Sequence, residues 1–313
     1  MLIHQPEFID GALKGFSGYI AVDELYDGPF CYISLVDAQS QQRILFHVLE
    51  GSPEKEDIAV LLSLFKIELV SRGLSLQGIT TDGSPLYPEA IKELFPGAGH
   101  QICRFHVIKE INKSVLRSVA AVRRELKAGI PARPRGRPTA ASRQVREEID
   151  RLDALHKDLF DHRYLFVRRE LDPSERETLE RISEPFPELR QIRGVVEEMH
   201  LLYDGQCKTV EALKKLEALR ERVNQMEELA KSLKRLSSEN MEKSLTYLDT
   251  EGFPGTSNAV ERGNRRHRKM QKSVYRVRTL EQVRQRIALD MLRERGMKVP
   301  IQVFKFLHAW RCG

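Results

Sequence analysis

Cysteine is scarce in this sequence and badly placed for cross-linking. Cys31, Cys103, Cys207 and Cys312 lie far apart and form no CxxC pair, which argues against a disulfide framework and a cysteine-rich zinc module. No apolar run reaches membrane-spanning length, and no basic-then-apolar leader opens the chain, so a cytoplasmic protein without a membrane partner is expected. Tryptophan occurs once, at Trp310, in a late apolar helical pattern where packing is the expected role. Acidic residues are missing from two stretches. Arg117–Arg146 carries nine Arg or Lys against Glu125 alone, and Arg262–Arg278 carries eight with no acid. Against a total of +6, the rest of the chain is therefore net acidic. Solvated helix faces mix both signs; two single-sign blocks instead form a footprint for a polyanion, nucleic acid above all.

What is present is ordinary for a globular chain with long polar helices. Of the 313 residues, 41% are apolar and 31% charged, enough for one large or two ordinary domains. The first hundred residues read as α/β. GYIAVDELY (18–26), FCYISLVDA (30–38) and RILFHVLEG (43–51) are β-branched and aromatic runs separated by turn residues, an antiparallel meander. A helical pattern over 55–74 follows, then a short strand in SLQGITTDGSP (75–85), a short helix over 86–97, and a brief strand leading into a helix over 100–119. From about 115 to 249 strand signals vanish. Charged helical patterns continue there, broken at 129–143, near Asp172-Pro173, at Pro185–Pro187 and near Gly205. Leu213, Leu216, Leu219, Val223, Met226, Leu229, Leu233 and Leu236 form an approximate a/d stripe too short for an extended coiled coil. Compact helices return over 257–272, 280–296 and 300–311. The expected class is mixed α/β with a large all-helical insertion: 1–115 and 250–313 as one discontinuous domain, and 116–249 as the insertion.

Three acids stand out. Asp23 sits in the first strand, where Asp is disfavoured, flanked by Ile20, Val22 and Leu25. Asp82 ends the fourth strand at an Asp-Gly turn, which is also ordinary turn chemistry. Glu261 stands alone among basic residues in GTSNAVERGNRRHRKMQK; Asn258 as N-cap with Glu261 three residues on would make it part of a capping box. Asp37 also ends a strand and competes with Asp23, although LVDAQSQQ reads more like a hairpin turn. Glu24 should point to the opposite strand face from Asp23. Carboxylates on adjoining strand ends and a facing helix suit Mg²⁺, an oxygen-seeking ion that retains waters. Two such ions can stabilise the attacking and leaving oxygens of a phosphodiester together.

IAVDELY followed by YISLVDAQSQQRIL, then GITTDGSPLYPEAIKELFPGAGHQICRFHVIKEI, then GTSNAVERGNRRHRKMQKSVY, resemble the successive motifs of DDE-type transposases of bacterial insertion sequences. The resemblance covers roughly 17–120 and 250–296, and its second and third motifs are the specific ones. It implies an RNase H-like catalytic domain with Asp23, Asp82 and Glu261 as catalytic and metal-binding residues. It further implies two Mg²⁺ ions, replaceable by Mn²⁺, and a supporting role for the C-x-x-H element Cys103 and His106. The implied activity is hydrolysis at element ends and strand transfer into target DNA, by a homo-oligomer assembled on double-stranded DNA and associated with the nucleoid. The rival readings are a non-catalytic DNA-binding remnant and an RNase H-like nuclease without strand transfer. Such transposases usually carry a DNA-binding module before the core, whereas here Asp23 comes almost at once, as in a truncated copy or a separately encoded fragment.

Basic residues supply the DNA contacts in this reading. RPRGRP, within the segment 131–143, resembles an AT-hook core, with Arg133, Arg135 and Arg137 suited to a narrow A·T minor groove. Around Glu261, Arg262, Arg265, Arg266, Arg268, Lys269 and Lys272 are expected on phosphates. Asn258, Arg265 and Arg268 share one helix face with Glu261, and His267 extends the basic coating.

Overall fold

The computed structural model describes residues 6–294 apart from 138, 205–206, 225–232 and 274–278. The helix read over 300–311, Trp310 and the break at Gly205 lie outside the described residues. The chain divides into two compact units, residues 1–106 with 246–313, and residues 107–245.

The first unit is built on a five-stranded sheet. The strands are β1 (Tyr19–Asp27), β2 (Phe30–Asp37), β3 (Arg43–Glu50), β4 (Gly78–Thr81) and β5 (Gly99–Ile102), in the order β3-β2-β1-β4-β5. β1, β2 and β3 form the antiparallel meander, while β4 and β5 join in parallel. This mixed sheet with flanking helices is consistent with the RNase H-like class implied by the sequence. Helix α1 (Pro6–Leu13), which the sequence patterns did not show, precedes the sheet. α2 (Lys55–Val70) and α3 (Tyr87–Leu94) cross between strands, and α4 (Arg104–Gly129) begins in this unit.

Strand alternation sorts the side chains. Ile20 and Val22 enter the main core with Phe65, Ile79, Tyr87 and Ile91, whereas Ala21 joins a separate cluster with Val36, Ala259 and Val260. The buried apolar area of the main core is the principal stabilising term. The second cluster matters differently. Its small side chains let a helix lie close to the face of β1 and β2 that carries Asp23.

The second unit is helical. It holds most of α4, then α5 (Ala140–Asp161), α6 (Pro173–Ser183), α7 (Pro187–Leu202), α8 (Thr209–Asn224) and α9 (Glu239–Lys243). The chain breaks seen in sequence are helix starts. Thr139 caps α5 in a box with Ser142, and Asp172 caps α6 in a box with Glu175, with Pro173 at the first turn. Leu216, Leu219 and Val223 of the a/d stripe are buried, as are Leu233 and Leu236. Two further described helices, α10 (Asn258–Ser273) and α11 (Leu280–Glu294), belong to the first unit.

Candidate active site

The parallel pairing of β1 with β4 sets the site. It runs from Tyr19↔Gly78 to Ala21↔Thr80. Two residues beyond that last pair on each strand, Asp23 and Asp82 arrive side by side. Alternation sends Glu24 toward the α3 side, where it faces the buried Tyr87 hydroxyl. β4 ends at Thr81, so β1 has no neighbour on its β4 side beyond that point and Asp82 lies beside it. Carboxylate oxygens of Asp23, Glu24 and Asp82 consequently lie within 4.8 Å of one another. Glu24 starts from the opposite strand face, as alternation predicts, yet its carboxylate and that of Asp23 meet beside Asp82.

The electrostatics match this crowding. Burial, then the neighbouring carboxylates Asp82 and Glu24, push the Asp23 carboxyl up to about 7. Burial and Asp82 likewise raise Glu24. Like charges held this close in a low-dielectric setting favour either a proton or a cation among them.

Glu261 is brought near the end of the sheet because the chain returns to it through a series of long-range contacts. Phe253 stacks on Tyr19 with ring centroids 5.0 Å apart and lies against Gly78 and Gly99. A Cβ built at Gly78 would come within 2.5 Å of that ring, so glycine there admits it. Thr80 Oγ1 donates to the Pro254 carbonyl at 3.1 Å, Tyr247 N–H donates to Gln101 Oε1 at 2.9 Å, and Arg104 N–H donates to the Gly255 carbonyl at 3.0 Å. Ser257 N–H then donates to Cys103 Sγ at 3.3 Å. α10 starts immediately after, so the residue preceding it is Ser257, and Asn258 is already the first helical residue. The Asn258 capping box is therefore corrected. The Glu261 N–H donates to the Ser257 carbonyl at 3.1 Å, and its side chain turns to the Ser257 hydroxyl at 3.5 Å.

The Glu261 carboxylate sits with Cys103 and His106, the ligand atoms of all three lying within 4.8 Å of one another. It belongs to this second cluster rather than to the Asp23–Glu24–Asp82 group, although its charge, like that of His106, is felt at Asp23. Burial raises the Cys103 thiol, but His106 and Ser257 outweigh it and hold the thiol below its ordinary value. The interaction with Cys103 raises His106 against the opposing effect of burial.

Asn264, passed over in the sequence, and His267, read there as part of the basic coating, complete the geometry. Asn264, 5% exposed, donates from Nδ2 to Asp23 Oδ2 at 2.8 Å, tying α10 to β1. His267 is buried against Tyr32, with ring centroids 4.7 Å apart, and burial lowers its pKa. It packs α10 onto the sheet, which corrects its place in the basic coating. Spacing of three from Glu261 to Asn264 to His267 was the available signal; the charges of Arg265 and Arg268 drew attention to the adjacent face. Arg262, Arg265, Arg266, Arg268 and Lys269 are exposed, and the Lys272 side chain lies outside the described residues. Asp37, the rival to Asp23, is fully engaged in its turn. Its oxygens accept from the backbone N–H groups of Ser17 at 2.8 Å, Gln39 at 3.1 Å and Ser40 at 2.6 Å.

In the second unit, Arg133 forms an ion pair with Asp150 and lies 3.7 Å from Asp153 on α5. The Pro134 carbonyl accepts from Arg146 at 3.0 Å. This pins the start of the hook-like segment to α5 and leaves Arg135 and Arg137 exposed around Gly136, whose φ is +96°.

A mixed sheet with acids gathered at adjoining strand ends, followed late in the chain by a glutamate-bearing helix, is the arrangement expected of DDE nucleic-acid-processing domains. The family model of the ISL3 group of DDE transposases, described as a transposase, matches residues 20–287, and the chain belongs to that family. No curated protein gives a significant match. Family membership places the protein in DNA transposition, and with it DNA binding and use of divalent metal. Among the described residues, no helix is long and apolar enough to cross a membrane.

Proposed function

We propose that the chain is the catalytic part of an insertion-sequence transposase, in which Asp23, Asp82 and Glu261 hold two divalent cations, Mg²⁺ by preference. The observation that carries this reading is the meeting of Asp23 and Asp82 at paired strand ends, with oxygens within 4.8 Å. At the strand ends the donors fit a hard cation: Asp23, Glu24 and Asp82 offer carboxylate oxygens alone, crowded enough that burial and mutual repulsion raise Asp23. Bound ions would supply charge stabilisation for the attacking and leaving oxygens of an in-line displacement. The chain's own residues do the rest. Asn264 holds one oxygen of Asp23 and leaves the other free. Cys103 and His106 support the Glu261 carboxylate. The exposed arginines of α10 hold DNA phosphates.

The activity proposed is hydrolysis of the phosphodiester at an element end, followed by attack of the freed 3′-OH on target DNA. The protein would act as a homo-oligomer on DNA, in the cytoplasm and at the nucleoid. In this reading residues 1–106 and 246–294 form the catalytic domain. Residues 107–245 form an insertion whose Arg135 and Arg137 contact a minor groove. The test is Mg²⁺- or Mn²⁺-dependent nicking and joining of an end-labelled DNA substrate. Wild type should do both, and Asp23→Asn, Asp82→Asn and Glu261→Gln should each fall by at least about a hundredfold. Cleavage surviving Glu261→Gln would remove that residue from the site. Cleavage without joining would make the protein a nuclease.

A further inference from the structure

A second site lies on the other flank of α10. A cavity of about 370 Å³ opens between the β2–β3 turn, α10 and α11, lined among others by Gln41, Arg43, Arg262, Gly263, Arg266 and Glu294. At 100° per residue, Arg262 and Arg266 project from the side of α10 away from Asn264, so this cavity is separate from the acids.

Its charges are unevenly matched. Arg43 is buried and fork-paired with Glu294, at 3.0 Å from Nε and 2.9 Å from Nη2. Arg266 approaches the same carboxylate at 3.5 Å, so two guanidinium groups share one acid. Arg262 donates to the neutral Gln41 Oε1 at 2.7 Å and has no carboxylate partner among the described residues. Three arginines against one glutamate leave the cavity strongly positive.

The turn that presents Gln41 is strained. Gln41 has φ +63° and is the one non-glycine residue at positive φ among the described residues, a left-handed conformation that such a side chain adopts only under constraint. The buried Asp37 fixes this turn through the backbone N–H groups of Gln39 and Ser40, and its other oxygen accepts from Ser17 N–H ahead of β1. The result is a rigid, strained loop aiming a neutral acceptor at an otherwise uncompensated arginine. Strain of this kind concentrates at binding sites.

We propose that this cavity is a DNA phosphate-binding site: it seats one nucleotide of a bound strand, with the backbone phosphate on Arg262 and Arg266 and Gln41 holding Arg262 in place. The volume suits a nucleotide-sized group, and guanidinium forks match phosphate geometry. A phosphate held here lies about one helix diameter, ~10 Å, from Glu261 across α10. The site would fix the path of the strand relative to the acids. This inference rests on the transposase reading, and its test is separable from it.

Binding of the full chain to a 5′-labelled non-specific duplex is measured in EDTA across a salt series, with metal-dependent cleavage by the same wild-type protein as the reference. Arg262→Gln with Arg266→Gln should weaken binding at every salt concentration. It should also reduce the slope of log K against log salt by about 1 to 2, one for each phosphate no longer neutralised. Gln41→Gly should weaken binding while leaving the melting temperature equal to wild type or higher, because glycine relieves the positive φ. A merely structural glutamine would instead lose stability and leave the slope unchanged. An unchanged slope in the double arginine variant, with wild-type cleavage intact, would overturn the phosphate site and spare the transposase reading. A wild type that does not bind DNA would overturn both.

Discussion

Burial and crowding by other acids converge on Asp23. Its carboxyl is raised to about 7 from an unfolded value of 3.8. For a group raised on folding, the stabilising contribution is complete below the unfolded pKa and is lost as pH climbs through the folded one. The metal-free protein should therefore lose stability between about pH 4 and pH 7, by up to ~4 kcal/mol from this group. Asp23→Asn should flatten that part of a melting-temperature profile and raise the melting temperature at pH 8, while abolishing cleavage. Divalent metal should recover stability in wild type but not in the variant. A wild-type profile that is flat between pH 4 and 7 in EDTA would contradict the effect of burial. Asn264 makes a second prediction at this scale. Asn264→Ala should raise the Mg²⁺ concentration needed for half-maximal cleavage by about tenfold. Its maximal rate at saturating metal should change much less, as expected of a residue that positions Asp23. A fall in maximal rate with unchanged metal dependence would contradict that role. Asp23 and Glu261 stand out in sequence because an Asp is unusual in a strand and a lone Glu is unusual in a basic run, whereas Asp82 lies in ordinary turn chemistry and is singled out by the resemblance. Asn264 and His267 were not, because a helix rich in Arg and Lys hides which of its faces is buried.

Among elements, the strands were readable because alternation and turn residues mark them. The three meander strands and the short strand before Asp82 emerge close to where their patterns place them. The short α1, containing Gly11 and ending at Leu13, gives too little periodicity to see. The start of α10 was harder to read, since Ser257 and Asn258 are both good N-cap residues; the helix begins at Asn258, with the Ser257 N–H on Cys103 Sγ. The docking of the returning chain depends on Gly78. Gly78→Ala would force the Phe253 ring to move, given a contact of 2.5 Å, at a cost of about 1–3 kcal/mol. Thermal melting should show that loss, and limited proteolysis should cut the 246–257 segment faster. An unchanged melting temperature would mean that Phe253 is not what seats the chain on β4 and β5.

At the scale of the molecule, the function depends on bringing together residues that the sequence keeps far apart. Tyr247 and Gln101 are 146 positions apart, and Asn264 lies 241 from Asp23. No local pattern encodes such pairings; the resemblance of motifs implied only that Asp23, Asp82 and Glu261 act together, and the sheet order with its long-range contacts supplies a physical route. What the whole chain then presents is a division of charge, carboxylates at the strand ends and arginines across α10. The direct measurement of this arrangement is Mn²⁺ binding to the full chain on DNA, counted from the loss of the free-ion electron paramagnetic resonance signal. Two ions per chain are expected in wild type, with loss of binding in Asp23→Asn and Asp82→Asn, and one fewer ion in Glu261→Gln. Mn²⁺ binding that is absent in wild type, or unchanged in all three variants, would contradict a shared metal site built from these acids.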